Sequence, residues 1–225
     1  MRIFIGFDSK ETVAFHVLSQ SIHRYASKPV SITPLILSQL PMWRERTPTQ
    51  STEFSFSRFL VPWLCGYQGK ALFLDSDILC RTDLTKLFDE DMNTCVDVVK
   101  HDYKPKAGNK FLNQPQSVYP KKNWSSVMRF NNPYCSVLTP EYVNTASGLE
   151  LHQFKWCGDH MVGELPADYN HLVGEYKPNP DAKLIHYTLG TPCFKKYENC
   201  EFSNEWYLER NLMLGYKKDE LRAVA

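Results

Sequence analysis

No stretch of this chain approaches the roughly 20 consecutive apolar residues that a membrane-spanning helix needs, and the apolar part of the opening segment MRIFIGFDS is too short for a secretory leader. Neither charge sign is in excess. With 26 Lys and Arg against 25 Asp and Glu, the chain carries no electrostatic footprint for nucleic acid or an anionic membrane, so any anionic ligand has to be met by local groups. Cysteines at zinc-binding spacing are missing: the seven present, at 65, 80, 95, 135, 157, 193 and 200, are odd in number and scattered. They suit reduced thiols of a cytoplasmic chain better than a disulfide framework. Internal repeats and low-complexity segments are absent too. Lys218-Asp219-Glu220-Leu221 resembles a retrieval signal, but four residues follow it, so it is not read as one. Peripheral attachment to a membrane through the C-terminal helix is left open, because Lys217, Lys218 and Arg222 are too few to establish it.

What is present suits a globular α/β domain. Hydrophobic residues at 43% and charged residues at 23% of 225 argue against disorder and fit one domain over residues 1–225, with a helical tail at about 203–225. Aromatics at 13% favour a well-lined pocket. The informative stretch is Lys70 to Cys80, KALFLDSDILC. Ala71 to Leu74 form an uninterrupted apolar run after the turn signal Tyr67-Gln68-Gly69, the pattern of a strand buried on both faces of a mainly parallel sheet. Asp75 and Asp77 then stand on one side of an extended backbone, with Cα atoms roughly 6.6 Å apart. Two like charges that close repel unless a cation joins them, and a hard divalent ion prefers carboxylate oxygen. An Asp at a strand end also serves as a turn former or helix cap.

Arg2 to Phe7 forms a second apolar run ending at Asp8-Ser9, followed by a helical face of Phe15, Leu18, Ile22, Tyr25 and Ala26 with Ser9 or Thr12 as its cap. Strand, polar turn and helix open an α/β sheet, whose ligands bind beyond the carboxyl ends of the strands. Asp8 sits at such an end, where a carboxylate also answers a helix dipole. Val30 to Leu37 reads as a strand broken by Pro34, which belongs at an edge or a bulge, and Pro41 to Thr52 as a surface loop. Ser55 opens a helix with Phe56, Phe59, Leu60, Trp63 and Leu64 on one face; periodicity puts Arg58 on the opposite, solvated side, and Pro62 loosens the helix there. Leu84 to Phe88 and Gly148 to Trp156 read as helices, Cys95 to Val99, Ser125 to Phe130 and Lys183 to Tyr187 as strands. His101 to Asn123 is a long basic loop of the kind that carries function.

The first strand and helix, the block SFSRFLVPWLCGYQGKALFLDSDILCRTDLTKLF and the segment AKLIHYTLGTP together resemble family 8 glycosyltransferases and their bacterial relatives, over residues 2 to about 198. The resemblance implies the single-domain GT-A fold of nucleotide-diphospho-sugar transferases, a mixed, mostly parallel sheet flanked by helices. It implies Mn²⁺ (or Mg²⁺) held by Asp75, Asp77 and His186, the imidazole suiting Mn²⁺ better. It places Phe7, Asp8 and Ser9 at the base and ribose, Ser76 at the ribose, Arg58 toward the donor and Gly190 at the diphosphate. Lys195 is a poorer match to the family's His-x-x-Gly-x-x-Lys ending. Ser125 stands in Trp124-Ser125-Ser126, where relatives carry Asn-Ala-Gly or Asn-Ser-Gly beside the donor sugar, and Asp159-His160 replace an Asp-Gln pair below it, as the catalytic candidates. The implied reaction is transfer, with retention, from a UDP-linked nucleotide sugar to a hydroxyl of a carbohydrate or glycolipid acceptor. Two alternatives stay open: a haloacid-dehalogenase-type phosphatase with Asp75 as nucleophile, and a non-catalytic nucleotide-sugar or glycan-binding protein on the same fold. The donor sugar, acceptor and oligomeric state have no readable signal.

Overall fold

The computed structural model describes residues 1–46, 50, 52–102 and 120–216. Most of the His101–Asn123 loop, part of the Pro41–Thr52 loop and the tail beyond Tyr216 lie outside the described residues. The main sheet contains β1 (Arg2–Gly6), β2 (Ser31–Leu35), β3 (Lys70–Leu74), β5 (Val96–Val98), β6 (Val127–Asn131) and β7 (Val162–Glu164). Their order is β2-β1-β3-β6-β5-β7, with β6 antiparallel to both its neighbours and the remaining pairs parallel. This is the mixed, mainly parallel sheet expected. Pro34, which cannot donate to a ladder, lies on the edge strand β2.

The apolar run explains the position of β3. Ala71, Leu72, Phe73 and Leu74 are all fully buried, and their alternation sends them to two different cores. Leu72 and Leu74 join Ile3, Ile5 and Val127 beneath Phe15, Leu18 and Ile22 of helix α1 (Thr12–Tyr25). Ala71 and Phe73 join Phe4, Met128 and Phe130 beneath Phe54, Phe59, Leu60, Phe154 and Trp156. Burial on both faces fixes the register, because a slip of one residue would exchange the two sets.

A second, small sheet closes over the end of β3. Strand β4 (Ile78–Cys80) pairs antiparallel with β9 (Leu184–His186), which pairs parallel with β8 (His171–Leu172). Ile78 lies opposite His186, and the Tyr187 N–H donates to the Asp77 carbonyl at 2.9 Å. The final helix, Ser203–Met213, docks through Trp206 onto Val17, Leu79, Ile185 and Tyr187.

Several local expectations change. Ser57–Leu60 is a 3-10 turn followed by one helical turn, α2 (Val61–Leu64), with Pro62 near its start. The tighter winding rotates Trp63 off the buried face, leaving it 38% exposed, while Arg58 is buried. The strand expected from Ser125 starts at Val127; Trp124–Ser126 is a 3-10 turn entered through Asn123 in the left-handed region (φ 62°), which Asn tolerates. The helix expected over Gly148–Trp156 stops at His152, with Phe154 at φ 58°, and its N-terminus is a capping box of Ser147 and Glu150. Neither Ser9 nor Thr12 caps α1: Glu11 is the N-cap residue, while the Ser9 hydroxyl donates to Glu53.

Asp97 and Arg129 stand directly opposite one another on β5 and β6. Arg129 donates through Nη2 and Nε to Asp97 at 2.6 and 3.0 Å and through Nη1 to the Leu87 carbonyl at 2.6 Å. Both side chains are less than a tenth exposed. Removing Asp97 leaves the buried Arg129 only the Leu87 carbonyl and the exposed Glu90 carboxylate at 3.0 Å, so Asp97→Ala is expected to lower unfolding free energy by about 3 kcal/mol, read from urea titration; a loss below about 1 kcal/mol would show that the pair is not holding the sheet.

Candidate active site

The carboxyl end of β3 delivers Asp75, whose backbone N–H donates to the Ser126 carbonyl at 2.9 Å. Ser76 follows, fully buried, and then Asp77 at the entrance to β4. The β4–β9 pairing swings His186 across to Asp77, with Nε2 at 3.2 Å from Asp77 Oδ1. One ligand atom from each of Asp75, Asp77 and His186 lies within 4.8 Å of the others. The buried Asp77 Oδ1 makes no hydrogen bond. A carboxylate oxygen in that state beside an imidazole and a second carboxylate fits a divalent ion, which would supply the missing positive partner.

Arg58 brings the other cation. Its Nη1 lies 2.7 Å from Asp75 Oδ1 and donates to the Ser125 carbonyl at 2.8 Å, while the guanidinium sits over the Phe73 and Phe54 rings at 4.9 and 5.2 Å from their centroids. Periodicity alone had it solvated; the 3-10 turn and the Asp75 charge turn it inward. Ser125 Oγ is 2.8 Å from His152 Nδ1, and burial, Arg58 and Arg44 push that imidazole down to about 3, so it is neutral.

The buried Asp8 carboxylate accepts from the backbone N–H of Lys10 at 2.9 Å and of Glu53 at 3.0 Å. Phe7 packs edge-on against Phe15, and Ser9 is exposed. Gly190 has φ 144°, and a Cβ there would lie 2.3 Å from the Tyr197 ring, so the turn admits glycine only. Lys195 is exposed in the turn Lys195–Tyr197. Asp159 and His160 are both exposed at the N-terminal entrance of β7, and Asp159 pairs with Lys121 at 2.7 Å. That lysine leads into the Asn123–Ser126 turn, whose Ser126 carbonyl accepts from the Asp75 N–H.

The profile of "Glycosyl transferase family 8" matches residues 8–137, more than half of the sequence. This chain belongs to glycosyl transferase family 8. The family 8 chain is also 43% identical over 230 residues to Protein CDI of Arabidopsis thaliana, covering 97% of this chain and 88% of that one. Among solved structures it is similar to the bifunctional glycosyltransferase WbbM (TM-score 0.65, 16% identity, 99% of this chain and 50% of that one). It is similar also to the galactosyltransferase LgtC solved with donor and acceptor sugar analogs (TM-score 0.61, 11% identity, 97% and 98%). The chain thus spans about half the length of WbbM, and 62% of the glycosyltransferase GlyE of Streptococcus pneumoniae (TM-score 0.62, 15% identity, 95% of this chain). These likenesses establish a GT-A glycosyltransferase fold.

Two buried groups of this family 8 glycosyltransferase escape sequence reading. Glu11, 4% exposed, is pushed up to about 9 by burial and by Asp77, Asp8 and Asp75; in the sequence it is one acid of a polar turn, indistinguishable from a helix-dipole partner. His101, at the end of the β5 segment, lies near His186 and donates to or accepts from Tyr176 at 2.9 Å; burial first, then His186, push it down to about 3. Among the described residues all seven cysteines are free thiols, and burial pushes Cys80 and Cys157 up to about 12.

A pH dependence follows. Folded Glu11 keeps a proton that the unfolded chain, with an ordinary carboxyl near 4.5, releases. Stability of the metal-free protein therefore falls as pH rises from about 4.5 to about 9. Thermal melts of wild type and Glu11→Gln should differ by a gap that is constant below about pH 4.5 and shifts in favour of the variant toward pH 9; a pH-independent gap would show that Glu11 is ionised in the folded state.

Proposed function

We propose that this glycosyltransferase moves a sugar from a UDP-linked donor to a hydroxyl of a carbohydrate or glycolipid acceptor, with retention at the anomeric carbon, using a divalent ion bound by Asp75, Asp77 and His186. The observation that carries the proposal is the convergence of those three ligand atoms within 4.8 Å at the carboxyl end of the central strand, where α/β sheets bind nucleotides. The mixed nitrogen and oxygen donor set favours Mn²⁺ over Mg²⁺. A bound ion would supply Lewis-acid stabilisation to the departing diphosphate.

The chain's own residues do the rest. Arg58 shares the negative charge of Asp75 and donates into the low-dielectric floor of the site, where preorganised donors act most strongly. Gly190, bare of a side chain against the Tyr197 ring, would let backbone groups of the loop after β9 meet a phosphate. Asp8 holds the Phe7–Ser9 turn closed against the backbone of Glu53, shaping the wall expected to receive the nucleoside, and buried Ser76 lies between the two acids. Lys195, exposed on the following turn, would add a cation at the diphosphate. The phosphatase alternative is not favoured: its nucleophilic Asp belongs on the first strand, whereas Asp75 follows the third and is ion-paired with Arg58.

Calorimetric titration of UDP is expected to give binding that needs Mn²⁺, and a panel of UDP-sugars should release UDP slowly even without acceptor. Asp77→Asn should lower that turnover by about 100-fold or more while leaving the melting temperature within a few degrees of wild type. Absence of UDP binding in the presence of Mn²⁺ would contradict the proposal.

A further inference from the structure

We infer that Asn170, braced by the turn Asn123–Ser126, holds His186 in the single tautomer that presents an unprotonated Nε2 to Asp77, and so sets the affinity of the site for its divalent ion. This rests on the metal site proposed above.

Asn170 is fully buried at the end of the turn Ala167–Asn170, immediately before β8. Its Oδ1 lies 2.9 Å from His186 Nδ1, and its Nδ2 donates to Ser126 Oγ at 2.8 Å and to the Asn123 carbonyl at 3.2 Å. The Ser126 hydroxyl gives its own hydrogen to the same Asn123 carbonyl, at 2.7 Å. A carbonyl oxygen only accepts, so the amide has one orientation: NH₂ toward Asn123 and Ser126, oxygen toward His186. Nδ1 must then carry the imidazole hydrogen. In the neutral ring that leaves Nε2 with a lone pair, aimed at Asp77 Oδ1 from 3.2 Å. Two acceptors facing each other at this distance call for a cation between them, and an outer partner that orients a ligating imidazole is what metal sites generally require.

The turn that braces Asn170 also anchors the opposite side of the cluster. The Ser126 carbonyl accepts from the Asp75 N–H, and the Ser125 carbonyl from Arg58. Both halves of the site are thus referenced to four residues, one of them held at φ 62°. The Ser126 hydroxyl gives the departure at Trp124-Ser125-Ser126 a purpose, as the link between Asn170 and that turn.

The test combines imidazole NMR with Mn²⁺ binding followed by electron paramagnetic resonance of the free ion. In ¹⁵N-histidine-labelled, metal-free wild type, long-range ¹H–¹⁵N correlations should show His186 protonated at Nδ1; protonation at Nε2 instead would overturn the inference. Asn170→Leu, isosteric but unable to accept, should weaken Mn²⁺ binding by about 10- to 100-fold. Asn170→Asp, which keeps the acceptor, should recover most of that loss and retain the Nδ1–H tautomer. Wild-type affinity in a folded Asn170→Leu, with binding abolished in Asp77→Asn, would overturn this inference and spare the proposed site. Undiminished binding in Asp77→Asn would overturn both. Should Asn170→Leu fail to fold, the wild-type spectrum and the affinity of Ser126→Ala, expected to be reduced several-fold, decide the matter.

Discussion

The structure turns on the repulsion between two carboxylates at the end of a strand buried on both faces. Asp75 and Asp77 cannot turn away into solvent, because Leu74 behind them and Ile78 ahead are locked into core. Their charges have to be met where they stand. Arg58 meets Asp75 at 2.7 Å and His186 approaches Asp77 at 3.2 Å, yet Asp8 and Glu11 add further acidic groups nearby, and Glu11 answers by keeping its proton. With a net charge of only +1, the protein as a whole offers no field to relieve this. This local concentration of negative charge is what supports the proposed cation site.

Much of the architecture was legible because it followed from period. The uninterrupted run Ala71–Leu74 announced a strand buried on both sides, Pro34 an edge or a bulge, of which it is the edge, and Phe15, Leu18 and Ile22 announced the helix beneath. Reading failed where hydrogen bonds outweighed period. Arg58 looked solvated on a helical wheel, but the segment winds as a 3-10 turn and an acid lies within reach. Ser125 and Ser126 looked like strand, but the Ser126 hydroxyl closes back on Asn123 and delays β6. Trp63 looked like core and is not.

At the site, the pair Asp75 and Asp77 showed in the sequence as chemistry, whereas His186 entered only through resemblance, since nothing local in KLIHY says that β9 will lie against β4. Asn170 was invisible: its role depends on which amide face meets which carbonyl, information that arises only after β8, β9 and the 123–126 turn are assembled. Asp159 and His160, like His186, entered through resemblance. Their catalytic role is implied by a motif position alone; both are exposed at the entrance of β7, with Asp159 paired to Lys121. Similarity of the fold to WbbM and LgtC at 16% and 11% identity fits the same division: burial patterns specify the sheet, and a few polar residues specify what it holds.

The central claim is that one ion bridges Asp75, Asp77 and His186. Anomalous diffraction from a crystal grown with Mn²⁺ and UDP tests it most directly. The account predicts a peak bonded to an oxygen of each Asp and to His186 Nε2 at about 2.0–2.2 Å, with the diphosphate on its open side. Bound UDP with no peak there, or a peak coordinated by other side chains, would contradict it.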